Sequence, residues 1–148
     1  MKKRIWLFHL LNDYSGSPLV LKNTVLALKE DAEVTVCTSK EEGFLSDLEN
    51  TTYHFTNYQW SSNRFLTLLR FLIVQITLCW TVISHHRNID IVYVNTLLPF
   101  GAALGAKLCG KKVVYHMHEP QVSPKILFQF LSFMARSTSD EVLFVSDY

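Results

Sequence analysis

Glycine and proline are scarce in this chain, five and four among 148 residues, which excludes collagen-like repeats and Gly/Pro-rich low-complexity character. Charge of one sign is also missing. Fourteen Lys and Arg against 13 Asp and Glu leave a net +1, so the chain lacks the basic excess of a nucleic-acid binder, and nucleic acid is not expected as a partner. Cysteine is limited to Cys37, Cys79 and Cys109, odd in number and widely spaced, without a C-x-x-C or a Cys/His ligand spacing. That usage fits a reducing cytosol better than a disulfide scaffold. Neither G-x-G-x-x-G nor G-x-x-x-x-G-K-[ST] occurs, and the second apolar run ends Cys37-Thr38-Ser39 without the acid that would hold a ribose. A conventional NAD or ATP site is therefore poorly supported. No Ser/His/Asp order suggests hydrolase chemistry.

What the chain has is apolar patterning, with 49% hydrophobic and 18% charged residues. Its length matches one domain, able to bury roughly two-thirds of the surface that the unfolded chain exposes. The start, Met1-Lys2-Lys3-Arg4 followed by an apolar run, resembles a signal peptide only superficially. The run meets His9 and Asn12-Asp13 with no small-residue cleavage site, and it reads as a buried first strand. Short β-branched and aromatic runs recur at residues 4–9, 33–38, 51–55, 91–95, 113–117 and 142–145. Several are almost continuously apolar, as strands buried on both faces are. Helical stretches are expected between them at 18–29, 46–49, 63–85, 99–108 and 124–136. This alternation predicts an α/β fold, a Rossmann-like doubly wound parallel sheet with helices on both faces. Ser17-Pro18 reads as helix cap and first helical position, and Gly110 as the close of the fourth helix. Gly101 and Gly105, with Ala102, Ala103 and Ala106, give that helix a small face, read either as a close approach to the sheet or as tight packing alone. The sequence ends just after a strand, where a parallel unit normally adds a helix, and the expectation is a piece of a larger polypeptide.

Residues 65–83 form a nineteen-residue, largely apolar stretch, close to transmembrane length. Arg70 near its middle costs roughly 2.5–3.5 kcal/mol on insertion scales, and Thr67, Arg70, Thr77, Thr81 and Ser84 share one side of the helical wheel. An amphipathic helix is expected, with most of its apolar face packed on the sheet. The alternative is that Trp80, Leu69 or Leu72 reaches a membrane surface, aided by Arg64, Arg70 and Arg87.

Two segments carry candidate chemistry. The loop Leu10 to Pro18 leads into a helix N-terminus, where unbonded amides and the helix dipole favour anions. Its Gly16 is either a turn glycine or a point of close ligand approach. The second segment, Val114-Tyr115-His116-Met117-His118-Glu119-Pro120, is a strand running out at the carboxyl end, where ligands of open α/β sheets bind. Alternation puts His116 and His118 on one face, with Glu119 at the exit. A histidine there can serve a sugar hydroxyl or be a satisfied structural group. A zinc site of His116, His118 and Glu119 is disfavoured by the spacing, since adjacent strand residues point to opposite faces. Asn95-Thr96, Ser146 and Asn12-Asp13, also at strand ends, are either pocket walls or turn and cap residues. The His85-His86-Arg87 run is expected to cap the negative end of the long helix.

In order and spacing these features resemble glycosyltransferase family 4, the group 1 transferases of the GT-B fold. The parts are Ile5 to His9, then Ser15-Gly16-Ser17, Asp90-Ile91-Val92-Tyr93-Val94-Asn95, the Gly/Ala-rich helix, His118-Glu119 and Val145-Ser146. The chain departs from the family's pattern in having Gly16 alone before Ser17-Pro18, and Tyr93 and Asn95 where histidine is frequent. The resemblance implies a two-domain retaining enzyme with its active site between two Rossmann-like halves, this chain being the N-terminal, acceptor-side half. It implies that the glycine loop Ser15-Gly16-Ser17 lies near the donor diphosphate and acceptor, that His118 contacts the donor sugar as the catalytic residue, and that Glu119 supports its loop; Asn95 and Ser146, from their strand-end positions, are expected to join Glu119 in binding donor or acceptor. A basic phosphate clamp and a Glu-x7-Glu motif are implied in a C-terminal half. The partners implied are a nucleotide-sugar donor and a glycan or polyprenyl-linked acceptor at the cytoplasmic membrane face, with no metal and no cofactor. A standalone nucleotide- or flavin-binding module and a non-enzymatic membrane-interaction domain are the alternatives.

Overall fold

The structure, a computed structural model, describes residues 1–118 and 124–144. Among these, the elements follow in the order β1 (Lys3–Phe8), α1 (Gly16–Leu28), β2 (Ala32–Ser39), β3 (Thr52–Thr56), α2 (Arg64–His85), β4 (Ile91–Asn95), α3 (Phe100–Leu108), β5 (Lys112–Met117), α4 (Lys125–Thr138) and β6 (Glu141–Phe144), a helix following every strand from β1 to β5 except β2. The six strands form one parallel sheet in the order β3-β2-β1-β4-β5-β6. The chain winds outward from β1 to β3, then returns to lay β4 on the other side of β1. The β1/β4 boundary is thus the topological switch point, at whose carboxyl end open α/β sheets generally bind their ligands.

Alternation along each strand divides the core into two layers. Trp6, Phe8, Val92, Val94, Val113 and Tyr115 point to the layer covered by α2, α3 and α4. Ile5, Leu7, Val34, Val36, Tyr93 and Val114 point to the opposite layer with Leu21 and Val25 of α1. The expected doubly wound sheet is therefore present, with the strands close to their expected places.

Three local expectations are corrected. Residues 46–49 form turns rather than a helix. Asp47 and Asn50 adopt left-handed backbone, φ 54° each, which interrupts helical propagation, and the Leu45 amide is held by Asn12 Oδ1 at 2.9 Å. Helix α1 begins two residues earlier than expected, with Ser15 at the cap position, so Pro18 is its third residue, still within the turn whose amides need no helical partner. Gly101 and Gly105 do pack tightly, but against α2 and not the sheet. A Cβ on Gly101 would stand 2.1 Å from Gln75 O, and one on Gly105 would stand 2.7 Å from Cys79 O. Gln75 then ties the junction, its Oε1 accepting from the Gly101 amide at 2.8 Å and its Nε2 donating to Leu98 O at 2.9 Å. Gly110 closes α3 in left-handed conformation, φ 67°, as its position predicts.

Helix α2 departs furthest from expectation. Only Phe71, Val74, Gln75, Leu78, Thr81 and Val82 are buried. Thr81, expected on the polar side, lies in the packed stripe and satisfies its hydroxyl on Thr77 O at 2.8 Å. Phe65, Leu68, Leu69, Leu72, Ile73, Ile76 and Trp80 are exposed instead, because the narrow, small-residue surface of α3 accepts only one stripe.

Candidate functional site

Five polar side chains converge on the α1 face at the carboxyl ends of β1, β4 and β5. His9 follows β1, Tyr93 and Asn95 lie in β4, His116 lies in β5, and His118 follows it. Strand alternation puts them together: 93 and 95 share a face, as do 114, 116 and 118, and His9 continues the register of Ile5 and Leu7. Parallel pairing sets Asn95 opposite His116, and the Thr96 amide donates to His116 O at 2.9 Å.

Asn95, fully buried, is the hub. Its Nδ2 lies 3.1 Å from His9 Nδ1 and 3.1 Å from Ser17 O, and its Oδ1 lies 2.6 Å from His118 Nε2. The His9 contact bridges the β1/β4 switch point. The Ser17 contact fastens the first turn of α1 to the sheet. Beside this hub the His116 and His118 rings stand 4.6 Å apart, tilted 39°, and His116 Nδ1 is hydrogen-bonded to the Tyr93 hydroxyl. Burial holds the His9 pKa down at about 4. Burial, then the neighbouring His116 and His9, hold His118 at about 4. Both imidazoles are therefore neutral near pH 7, available to accept or donate a hydrogen bond without bringing a charge.

The α1 N-terminus forms the other wall. Ser15 occupies the cap position, yet its side chain does not cap the helix; its amide and hydroxyl both turn to Asp13 Oδ1, at 2.9 and 2.5 Å. The amides of Gly16 and Ser17 make no hydrogen bond among the described residues. Gly16 is exposed, nothing lies within 4 Å of the position a Cβ would take, and its φ is not in the left-handed range. Neither backbone geometry nor packing requires glycine there, which removes the turn-glycine explanation. Asn12 is committed structurally, with its amide group holding Glu41 O, Ser46 Oγ and the Leu45 amide. Thr96 is held at φ 69°, a strained conformation for a β-branched residue, directly beside the hub.

Of the residues singled out from the sequence, Ser17, Asn95 and His118 are joined by direct hydrogen bonds, and Ser15 and Gly16 adjoin them in α1. Asn95 spends its amide on three protein partners, so it acts on the site from behind. Glu119 and Ser146 lie outside the described residues. His9 was not singled out. The signal that points to it is its alternation with Ile5 and Leu7, combined with the position of β1 at the switch point.

A second surface lies on the α2–α4 layer. Phe65, Leu69, Leu72, Ile73, Ile76 and Trp80 form an outward stripe along α2 at three- and four-residue spacing, with Phe65, Ile76 and Trp80 about 70% exposed. Ile126, Phe130 and Phe133 form a similar stripe on α4. Between the N-terminal ends of α2 and α4 runs an apolar groove of about 1040 Å³, lined by Tyr58, Trp60, Leu68, Phe71, Ile126 and Phe130, with Arg64 at its margin. By length and composition residues 64–88 form a helix able to cross a membrane, with one-third of its most apolar window buried in the fold. A smaller pocket of about 510 Å³ opens at the opposite, amino-terminal end of the strands, where Arg4 is already paired with Asp90 at 3.0 Å.

No family model matches the sequence, and no curated protein matches it. Solved structures match in shape. MurG of Acinetobacter baumannii superposes with a TM-score of 0.68 at 12% identity, over 98% of this chain and 42% of its own. The Anabaena HepE protein, crystallised with UDP and glucose, superposes with a TM-score of 0.65 at 16% identity, over 93% of this chain and 37% of its own. Phenylacrylic acid decarboxylase from Aquifex aeolicus reaches a TM-score of 0.53 at 16% identity, over 100% of this chain and 84% of its own. The chain spans about two-fifths of the length of MurG and HepE. At these identities the likeness is one of fold, and the chain has the Rossmann-like α/β fold found in GT-B glycosyltransferases.

Proposed function

We propose that the chain is the N-terminal, acceptor-side domain of a retaining glycosyltransferase of GT-B architecture, of the family 4 kind, inactive without a donor-binding second domain. The observation that carries this reading is the juxtaposition, at the β1/β4 switch point, of the Gly16 and Ser17 amides of α1, which bond to nothing among the described residues, with the Asn95–His118 pair. Amides at a helix N-terminus suit a diphosphate, and a neutral imidazole beside them suits a sugar hydroxyl. HepE, which has the same fold, is recorded with UDP and glucose.

In this reading Gly16 lets the diphosphate approach the Gly16 and Ser17 amides, and His118 binds a hydroxyl of the transferred sugar. Ser15, Asn95, Glu119 and Ser146 complete or support that wall, without a metal or a cofactor. The sugar passes from a nucleotide donor to a glycan or polyprenyl-linked acceptor, in surface polysaccharide synthesis at the cytoplasmic membrane face. The outward stripes of α2 and α4 support membrane contact: neither helix carries an acidic residue, while Arg64, Arg70, Lys125 and Arg136 supply positive charge.

The reading is tested by following the natural reading frame past Tyr148 and assaying the complete protein. Continuation into a second α/β domain with a basic clamp and Glu-x7-Glu is expected, as is a loss of transfer of about tenfold or more in His118→Ala, the worth of one hydrogen bond. A natural stop at Tyr148, or unchanged kinetics in His118→Ala, overturns it. The match to the decarboxylase over 84% of that chain favours one second reading, a standalone nucleotide- or flavin-binding module. Saturable binding of FMN or NAD by the chain alone would establish that reading instead.

A further inference from the structure

The carbonyl of Ser17 determines the hydrogen positions of the buried network. A backbone carbonyl only accepts hydrogen bonds, so the end of the Asn95 amide that faces it at 3.1 Å must be the NH2 group. The reverse orientation would set two oxygens at that distance with no hydrogen between them. The remaining assignments then follow. The other Nδ2 hydrogen is directed at His9 Nδ1, 3.1 Å away, which must present a lone pair. A neutral His9 is therefore protonated on Nε2. Asn95 Oδ1 accepts only, so His118 Nε2, 2.6 Å away, must carry a hydrogen. A neutral imidazole has one N–H, and the lone pair of His118 is left on Nδ1. No hydrogen bond occupies that nitrogen among the described residues.

We propose that Asn95 is a positioning residue that locks His118 in the Nε2–H tautomer, so that Nδ1 acts as a hydrogen-bond acceptor and recognises a substrate hydroxyl through that hydroxyl's own hydrogen. The lock depends on the first turn of α1, because Ser17 O orients the amide. It therefore couples the glycine loop to His118 across β1 and β4. The assignment of the hydroxyl to a sugar rests on the transferase reading; the tautomer lock does not. A group read in this way must donate. Replacing the recognised hydroxyl by fluorine, which accepts only weakly and cannot donate, should weaken binding as much as replacing it by hydrogen.

The deciding measurement is a long-range proton–nitrogen NMR spectrum of the 15N-labelled 148-residue chain near neutral pH. A pyrrole-type Nε2 and a pyridine-type Nδ1 are expected for both His118 and His9. In Asn95→Asp a carboxylate faces both rings, so His9 should acquire a hydrogen on Nδ1, and the protonation midpoint of His118 should rise by about one unit or more. A hydrogen on Nδ1 of His118 in the unaltered chain, or a rapid mixture of its two tautomers, overturns the proposal. So do His9 and His118 signals that are unchanged in a folded Asn95→Asp. If that variant does not fold, the spectrum of the unaltered chain decides alone. A locked tautomer together with unchanged transfer in His118→Ala would remove the transferase reading and leave the positioning role of Asn95 standing.

Discussion

His9 and His118 carry depressed pKa values near 4 against an ordinary 6.5, and the consequence extends beyond the site. Between pH 6.5 and about 4 the unfolded chain binds protons on these rings that the folded chain does not. Stability is therefore complete above the unfolded value and falls as the pH drops through that window, levelling once both states are protonated. For buried His9 the full window is worth roughly 3 kcal/mol; His118, only half buried, adds less because solvent screens its charge. Urea midpoints measured across the window should fall with pH, and a His9→Gln variant should flatten the fall. A profile that His9→Gln leaves unchanged would contradict this assignment. Gly16 separates stability from binding. Gly16→Ala meets open space without a left-handed backbone, so unfolding stability should hold or rise by up to about 1 kcal/mol, while nucleotide-sugar binding by the complete protein weakens. Loss of stability without loss of binding would return Gly16 to a structural role. Ser17, Asn95 and His118 were legible in the sequence because each sits at a strand or helix end. That Asn95 faces inward was not, because whether a strand-end amide meets ligand or protein depends on contacts 78 and 86 residues away, with Ser17 and His9.

At the scale of elements, strand positions were legible because burial on both faces writes nearly unbroken apolar runs. The layer beneath α3 was not. A small-residue face states that something approaches closely but does not name the partner, and here the partner is α2. The contact is tight enough to test. Gly101→Ala places a methyl 2.1 Å from a backbone oxygen of α2, which cannot swing aside as a side chain would, so the helix pair must separate. Thermal unfolding of Gly101→Ala should show a loss of about 1–3 kcal/mol. Gly16→Ala is the internal control that should show none. Equal stability of the two variants would mean that α2 and α3 do not meet as described. The turn at residues 46–49 was misread for a related reason: its residues suit a short helix, but Asn12, more than thirty residues earlier, holds the Leu45 amide and fixes a different path.

At the scale of the molecule, the two layers are unequal. The α1 layer carries the polar constellation, and the α2–α4 layer carries apolar stripes on its outer side that the fold itself leaves uncovered. Hydrophobic periodicity predicted the length of α2 but could not apportion its apolar residues between core and surface, since both stripes recur every three to four residues. An exposed contiguous apolar surface of this kind marks an interaction site, and its cationic margin selects among partners. If that partner is a membrane, the chain should bind vesicles containing anionic lipid more tightly than neutral ones. Added salt should weaken binding, because Arg64 and Arg70 act through a screened surface potential. Replacing Ile76 and Trp80 together by Glu removes apolar burial and introduces repulsion on the same face. Both side chains point away from the core, so circular dichroism and unfolding should remain as in the unaltered chain while vesicle co-sedimentation falls at least about tenfold. Binding that persists in the double variant, or that ignores lipid charge, would assign this face to something other than a lipid surface.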